Sequence, residues 1–143
     1  MKKAAPPEQE AFVALQRAAA RLMDSVAELL KPYGLRPAQY NVLRILRGAH
    51  PEQLSCRQVA GRMMTREPDL TRLLDRMEKA GLVRRRRQAS DRRVVHVGIT
   101  EAGLGLLAQI DAPMLALHRH QFSVLGQRQT AVLTRLVRRL AES

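Results

Sequence analysis

The segment from residue 65 to residue 100 constrains the fold of this chain more than any other. It begins with a helical pattern, in which apolar residues recur on one face and charged residues occupy the other. The apolar positions are Leu70, Leu73, Leu74 and Met77, and the charged ones are Arg72, Asp75, Arg76 and Lys79. Pro68 suits the first turn of such a helix and Gly81 suits its end. The pattern predicts an amphipathic helix with a largely cationic outer face.

A basic β-hairpin is predicted directly after this helix. Residues 84–87 are four consecutive arginines, and the turn-forming sequence QASD follows at residues 88–91. Val95, Val97 and Ile99 then alternate with less apolar residues, which predicts a second strand. An amphipathic cationic helix fits the major groove of DNA, and an adjacent cationic hairpin can reach the backbone.

The order of helix, strand, basic turn and strand is that of a winged helix-turn-helix, and two motifs carry a closer resemblance. Residues 91–103, DRRVVHVGITEAG, resemble the wing of the MarR family of bacterial transcriptional regulators. Residues 70–83, LTRLLDRMEKAGLV, are similar to the recognition helix of that family and its exit. With helices ahead and behind, the resemblance covers nearly the whole chain.

Basic charge is concentrated around these two motifs. The chain has 143 residues, a length that fits one domain, and a net charge of +12. Between Arg62 and Arg93 there are 11 basic and 5 acidic residues, a net +6 and half of the total. A solvated face that keeps the chain soluble is the simpler explanation. Such charge would be scattered, however, so its concentration favours binding to a polyanion.

Five further helices are predicted around the central segment. Residues 8–31 form a long apolar stripe that Pro32 and Gly34 end, and a second helix follows from Leu35 and Pro37 to Arg47, with Gly48 as its stop. Ser55 and Gln58 have the spacing of a capping box, which opens a short helix to about Met63. Thr100 is the expected N-cap of a long helix, and a last helix covers residues 127–141. The long helix is predicted to face inward through Leu104, Leu107, Ala108, Asp111, Leu115 and His118, with a bend at Pro113.

These elements predict a mainly α fold with a small β-wing, in one domain spanning residues 1–143. Residues 35–100 would form a winged helix-turn-helix lobe that binds DNA, and residues 8–33 and 101–143 a helical lobe. The first helix would be about 36 Å long, too long for a small domain to cover. We therefore expect the helical lobe to pack against a second copy in a two-fold dimer, as the resemblance also implies.

The expected DNA contacts lie on the recognition helix and the wing. On the helix they are Thr65, Arg66, Asp69, Thr71, Arg72 and Arg76. Salt bridges of the two last arginines to Asp69 or Asp75 are the alternative. Glu67 and Asp69 would repel phosphate, and they could instead accept from a cytosine amino group or orient an arginine.

In the wing, Arg86 and Arg87 lie nearest the tip and are expected to contact phosphate. The resemblance implies that Asp91 clamps the hairpin by pairing with an arginine and that Arg93 enters the minor groove. Arg92 is the alternative for that insertion.

Other site chemistry is not expected. His118 and His120 point to opposite sides of a helix, so neither a metal site nor a cofactor is predicted. Cys56, the single cysteine, excludes an internal disulfide and favours the cytoplasm; at a helix start it could have a lowered pKa and sense oxidants, or it could be a small buried side chain. No signal peptide, membrane segment or catalytic constellation is recognisable, so an enzyme is not expected.

The sequence thus predicts a homodimeric transcriptional regulator, a repressor that binds a pseudo-palindromic operator. The resemblance implies that a small aromatic or anionic effector binds between the lobes and releases the DNA, and Tyr40, Arg44 and His50 are the predicted pocket residues. A general basic protein that binds nucleic acid and a winged-helix module that binds another protein are the two alternatives.

Overall fold

Six α-helices, one short 3₁₀-helix and a three-stranded antiparallel sheet make up residues 2–143, which the computed structural model describes. The helices are α1 (Pro7–Leu30), α2 (Pro37–Ala49), α3 (Cys56–Arg62), α4 (Leu70–Lys79), α5 (Glu101–Phe122) and α6 (Gly126–Ala141), and Lys31–Tyr33 form the 3₁₀-helix. The strands are β1 (Leu54–Ser55), β2 (Val83–Arg87) and β3 (Val95–Ile99), in the order β1-β3-β2. The predicted class, mainly helical with a small β-wing, is confirmed.

Local chemistry explains most of the helix boundaries. Pro7 and Pro37 occupy the first positions of α1 and α2, where a missing N–H costs nothing. Gly34 ends the 3₁₀-helix in the left-handed conformation, with φ of 71°. The predicted stop at Gly48 is wrong, because α2 continues to Ala49 and His50 is its C-cap. A helical glycine costs about 1 kcal/mol, which burial of the neighbouring Leu46 outweighs.

The capping box predicted at Ser55 is confirmed. The Ser55 Oγ accepts from the backbone N–H of Gln58 at 3.1 Å, and the Gln58 Oε1 accepts from the backbone N–H of Ser55 at 2.9 Å. Strand β1, which the sequence did not predict, precedes α3 and pairs Leu54 with Val97 of β3. Two residues are too few to show an alternating pattern.

One apolar core joins the two predicted lobes. Its fully buried side chains come from five helices and the sheet: Leu30, Val42, Leu43, Leu46, Val59, Leu74, Met77, Val97, Leu107 and Ile110. Helix α5 packs against α1 and α2, so the predicted winged helix-turn-helix lobe and the predicted helical lobe are in direct contact.

The predicted inward face of α5 is partly wrong. Its buried residues are Gly103, Leu107, Ile110 and Met114, whereas Ala108 and Leu115 are exposed. Gly103 sets this orientation, because a Cβ there would lie 2.5 Å from the carbonyl oxygen of Leu82. The face of α5 that is buried is therefore rotated about the helix axis by less than a quarter turn from the predicted face.

Two helical segments keep apolar surface exposed. Helix α6 contributes no buried residue, and Leu136 and Leu140 are 48% and 62% exposed. In the N-terminal half of α1, Phe12 is 64% exposed. Along the chain from residue 2 onward, no helix combines the length and the hydropathy needed to cross a bilayer.

Candidate nucleic-acid interface

Helix α4 divides sharply between a buried and a charged face. Leu73, Leu74 and Met77 are buried in the core, while Thr71, Arg72 and Arg76 are exposed. The first set recurs at three- and four-residue spacing, and the two arginines lie about one turn apart on the opposite side. Both guanidinium groups can therefore reach one groove of a duplex.

The predicted start of this helix is too early. The first helical residue is Leu70 and the N-cap is Asp69, so Pro68 lies in the preceding turn rather than in the first turn of the helix. Thr65 and Arg66 lie in that turn, which was predicted over residues 64–67. The Asp69 Oδ1 accepts from the backbone N–H of Arg72 at 3.0 Å. The Glu67 Oε1 also accepts from the backbone N–H of Asp69 at 3.2 Å, so both carboxylates shape the helix entry.

One of the two arginines, Arg72, forms an ion pair with the N-cap residue Asp69. The Nε of Arg72 lies 3.4 Å from the Oδ2 of Asp69, and their side chains are 72% and 54% exposed. A pair this open to water contributes only a few tenths of a kcal/mol. Arg72 can exchange it for a phosphate or a base at little cost.

Asp75, Glu78 and Arg85 hold α4 against the wing, a grouping that the sequence did not predict. The Arg85 guanidinium of β2 pairs with the carboxylates of Asp75 and Glu78, in the latter case at 3.1 Å. The Glu78 Oε2 also accepts from the backbone N–H of Arg85 at 2.9 Å. We call this set of three residues the α4–β2 brace. Because Glu78 receives hydrogen bonds from the backbone and side chain of Arg85, the pKa of its carboxyl lies below its usual value.

The brace explains why the run of four arginines is not uniform. The side-chain period of two in a strand places Arg85 and Arg87 on one face of β2 and Arg84 and Arg86 on the other. Arg85 is half-buried against α4, whereas Arg86 and Arg87 are exposed. The two predicted phosphate ligands, Arg86 and Arg87, thus lie on opposite faces of the strand.

Polar contacts also shape the tip of the wing. The Arg87 Nη1 donates to the carbonyl oxygen of Arg92 at 2.8 Å. The Asp91 Oδ1 accepts from the backbone N–H of Arg93 at 3.0 Å and from its Nε at 3.1 Å. The side chain of Arg93 is nevertheless 92% exposed, and its guanidinium holds the pKa of the Asp91 carboxyl below its usual value. The hairpin therefore presents Arg92 and Arg93 to solvent at its tip.

Thr100 joins the wing and helix α4 to α5. Its hydroxyl donates to the carbonyl oxygen of Gly81 at 2.6 Å and accepts from the backbone N–H of Gly103 at 3.1 Å. The backbone N–H of Thr100 donates to the carbonyl oxygen of Leu82 at 3.1 Å. The N-cap predicted at Thr100 is confirmed. Thr100 also joins α5 to helix α4 and the wing, which together we call the recognition unit.

A second link between the two parts lies further along α5. The Arg47 Nη1 and Nη2 donate to Asp111 Oδ2 and Oδ1 at 2.8 and 3.0 Å, a bidentate pair between α2 and α5. Asp111, predicted to be on the apolar stripe, is thus an ion-pair residue. The hydrogen bonds from Arg47 hold the pKa of its carboxyl below the usual value.

A cavity of about 600 Å³ opens between α1, α2, α5 and the turn before α4. Of the predicted pocket residues, Tyr40 and Arg44 line it, and the Arg44 Cζ lies 5.9 Å from the centre of the Tyr40 ring. His50 does not, because it caps the opposite end of α2. Most of the wall is apolar, with Leu22, Val26, Ile45 and Met114 among its members.

The remaining candidates have ordinary environments. Burial raises the pKa of the half-buried Cys56 thiol, which agrees with the small buried side chain rather than with the alternative of a lowered pKa at the helix start. The Nδ1 of His118 lies 2.9 Å from the Oε1 of Gln121. Within residues 2–143, no three His, Cys, Asp or Glu side chains cluster in a way that could hold a metal ion.

Comparison with known proteins places this geometry among regulators. The model of the MarR family matches residues 35–95. The HTH-type transcriptional regulator MhqR of Bacillus subtilis is 29% identical over 131 residues, which cover 90% of this chain and 88% of that protein. The structure of a MarR transcription factor from Planctomyces limnophilus is 36% identical, with a TM-score of 0.74, and the match covers 99% of this chain and 98% of that one.

A third match has a lower identity but a closer shape. Sco3205, a MarR family transcriptional regulator from Streptomyces coelicolor solved in complex with DNA, is 24% identical. Its TM-score is 0.86, and the match covers 99% of this chain and 91% of that chain. The arrangement of helices and wing is therefore shared along nearly the whole chain.

Proposed function

Because this chain belongs to the MarR family of transcriptional regulators, we propose that it binds a pseudo-palindromic DNA operator as a homodimer and represses transcription there. The observation that carries the proposal is the α4–β2 brace. The brace fixes helix α4 to the wing, so that the exposed Arg72 and Arg76 of the helix and the exposed Arg92 and Arg93 of the wing have a set arrangement. Such an arrangement fits a major groove and the minor groove beside it.

The contacts that we assign to DNA follow from exposure and position. Arg72 and Arg76 would face the major groove, with Thr71 beside them, and Thr65 and Arg66 would contact the backbone from the turn before α4. Arg93 would enter the minor groove, with Arg92 as its alternative, and Arg86 would contact phosphate. Asp69 and Asp91 would not touch DNA; each would hold an arginine and its backbone in place. Sco3205, which shares the fold, was solved with DNA.

The exposed apolar surface of α1 and α6 supports the homodimer. Phe12, Leu136 and Leu140 would lose their contact with water against a second copy, at about 25 cal/mol for each Å² buried. The two-fold axis would place two α4 helices in successive major grooves, about 10 base pairs apart. Residues 8–33 and 101–143 would then serve dimerisation, and residues 35–100 would serve DNA binding.

The cavity beside Tyr40 and Arg44 supports control by a small molecule. Its apolar wall suits an aromatic ring, and the Arg44 guanidinium suits a carboxylate or phenolate. An effector there would release DNA if it bound more tightly to the conformation whose α4 helices do not match the groove spacing.

The test compares two duplexes at about 150 mM salt, where non-specific binding is weak. One carries the best palindrome in the DNA flanking the coding region, and the other is its scrambled version. We expect preference for the palindrome with two protomers on each duplex. Equal affinities would favour a general basic protein instead. A winged-helix module that binds protein would bind neither duplex.

A further inference from the structure

One hydrogen bond connects the cavity wall to the entry of the recognition helix. The side-chain Oδ1 of Asn41, in the second turn of α2, accepts from the backbone N–H of Met64 at 2.9 Å. Both residues line the cavity that also contains Tyr40 and Arg44. Met64 stands at the start of the turn that leads to Asp69, the N-cap of α4.

The surroundings make this bond more than an ordinary surface contact. Helix α3 ends at Arg62 and Met63 packs against the core, but the Met64 side chain is 70% exposed, so side-chain packing does not hold Met64 itself. Asn41, by contrast, lies on a helix between the buried residues Tyr40 and Val42. The carboxamide is therefore an acceptor on a well-anchored helix, next to an exposed backbone segment.

The turn has few other fixed points. Within it, the carboxylate of Glu67 accepts from the backbone N–H of Asp69, which shapes the last step into α4. The bond from Met64 to Asn41 ties the first step to α2 instead, 23 residues away in sequence. Together the two bonds set the path that delivers Thr65 and Arg66 to the interface.

We infer that Asn41 is a positioning residue for DNA binding, which holds the turn before α4 from within the cavity wall. This inference rests on the proposed function and adds the route by which that cavity acts on the interface. Asn41 touches no DNA in this account. A molecule in the cavity that donates a hydrogen bond to the Asn41 Oδ1 would displace the Met64 N–H. The Met64 segment and the N-terminal end of α4 would then be held less firmly.

Two near-isosteric substitutions test the role of the acceptor. Asn41→Leu removes the oxygen, whereas Asn41→Asp keeps one in the same position. Loss of one hydrogen bond that selects the binding-competent turn should weaken specific duplex binding about fivefold. We expect that loss in Asn41→Leu, and binding close to wild type in Asn41→Asp. Gln109→Leu, at an exposed amide on α5, is the matched control and should leave affinity unchanged.

A second readout does not depend on DNA. Hydrogen exchange of the Met64 amide in the free protein should be several-fold faster in Asn41→Leu than in wild type, and near wild type in Asn41→Asp. If the wild type prefers no palindrome, the proposed function fails, yet this exchange measurement still decides whether Asn41 holds the turn.

The inference is overturned if Asn41→Leu binds the palindrome as tightly as wild type, or if both variants lose affinity equally while remaining folded. Unchanged exchange at Met64 in Asn41→Leu would overturn it as well. Should the leucine variant fail to fold, Asn41→Ala makes the same deletion without added bulk, and the same expectations apply to it.

Discussion

The recognition unit and the terminal helices of this protein differ in which side chains they bury and which they expose. Helix α4 and the wing bury their apolar residues in the shared core and leave arginines exposed. Helix α6 and the first half of α1 leave apolar residues exposed and bury almost none. In the first region the apolar side chains are already buried, and the exposed arginines can bind a polyanion. The second needs an apolar partner before its own surface is covered.

The contrast is sharpest in how each region is held. Polar contacts position the recognition unit: the α4–β2 brace, the Asp91 contacts with Arg93, and the Thr100 junction. Helix α6 has none of its residues in the core. A hydrogen bond or ion pair is directional and fixes the orientation of the two elements, whereas apolar burial is non-directional and depends only on the area removed from water. DNA binding should therefore be sensitive to small polar changes, and assembly to apolar ones.

The largest expected effect comes from the apolar region. The double substitution Leu136→Asp and Leu140→Asp should break the dimer and weaken palindrome binding by about 100-fold or more, because the second half-site then no longer binds intramolecularly. Sedimentation measures the assembly, and a titration measures the affinity. The protomer should stay folded, since α6 buries no residue in it.

Thr134→Asp is the control for this pair, because it adds a negative charge on the opposite face of α6. It should leave the dimer intact. A Leu136 and Leu140 variant that remains dimeric would show that another surface joins the protomers.

The next effect concerns the exposed cations of the recognition unit. Arg72→Ala together with Arg93→Ala should cost about 100-fold in specific affinity, given 1–3 kcal/mol for each groove contact, while the dimer persists. Arg17→Ala, at an exposed position on α1, should change affinity little. Unchanged palindrome binding in the double variant would contradict the assigned interface.

A smaller effect separates positioning from direct contact. Arg85→Gln removes the charge of the α4–β2 brace and should weaken specific binding about tenfold, because helix and wing no longer share one orientation. Its affinity should keep the wild-type dependence on salt. Arg86→Ala should instead lower the slope of log affinity against log salt by about 1, as expected for one lost phosphate contact.

The salt dependence of Arg85→Gln and Arg86→Ala can contradict the roles assigned to these two arginines. A reduced salt slope in Arg85→Gln would mean that Arg85 contacts DNA directly. A normal slope in Arg86→Ala would remove Arg86 from the set of phosphate ligands.

The smallest effect is on stability in acid. The carboxyl of Asp111 has a pKa below its ordinary value of 3.8, because Arg47 donates two hydrogen bonds to it. Its contribution is therefore complete above pH 3.8 and is lost as pH falls through the lower, folded-state pKa. Asp111→Asn should be less stable than wild type near neutral pH, and the difference should shrink below pH 3.8. Thermal unfolding against pH checks this; a constant difference across that range would contradict it.

The sequence predicted those elements whose signals are local. The capping box at Ser55 and the N-cap at Thr100 each depend on residues three positions apart, and both were correct. The start of α4 was predicted too early because Pro68 fits a first helical turn as well as the turn before one. The end of α2 was missed because packing of Leu46 overrode the glycine that follows it.

What the sequence could not predict depends on contacts between elements. The four arginines of β2 look equivalent in the sequence, and only the partners on α4 distinguish Arg85 from Arg86. The inward face of α5 depends on the close approach of Gly103 to the carbonyl oxygen of Leu82, where a Cβ would lie at only 2.5 Å, and no spacing of leucines encodes that contact. Asn41 carried no pattern at all, since its partner is 23 residues away.

Selection from a random pool of duplexes tests the central claim most directly, because it presupposes no operator. Two exposed recognition units joined by a two-fold apolar interface should enrich a pseudo-palindrome whose half-site centres lie about 10 base pairs apart. Enrichment of a sequence without two-fold symmetry, or of no sequence at all, would contradict it.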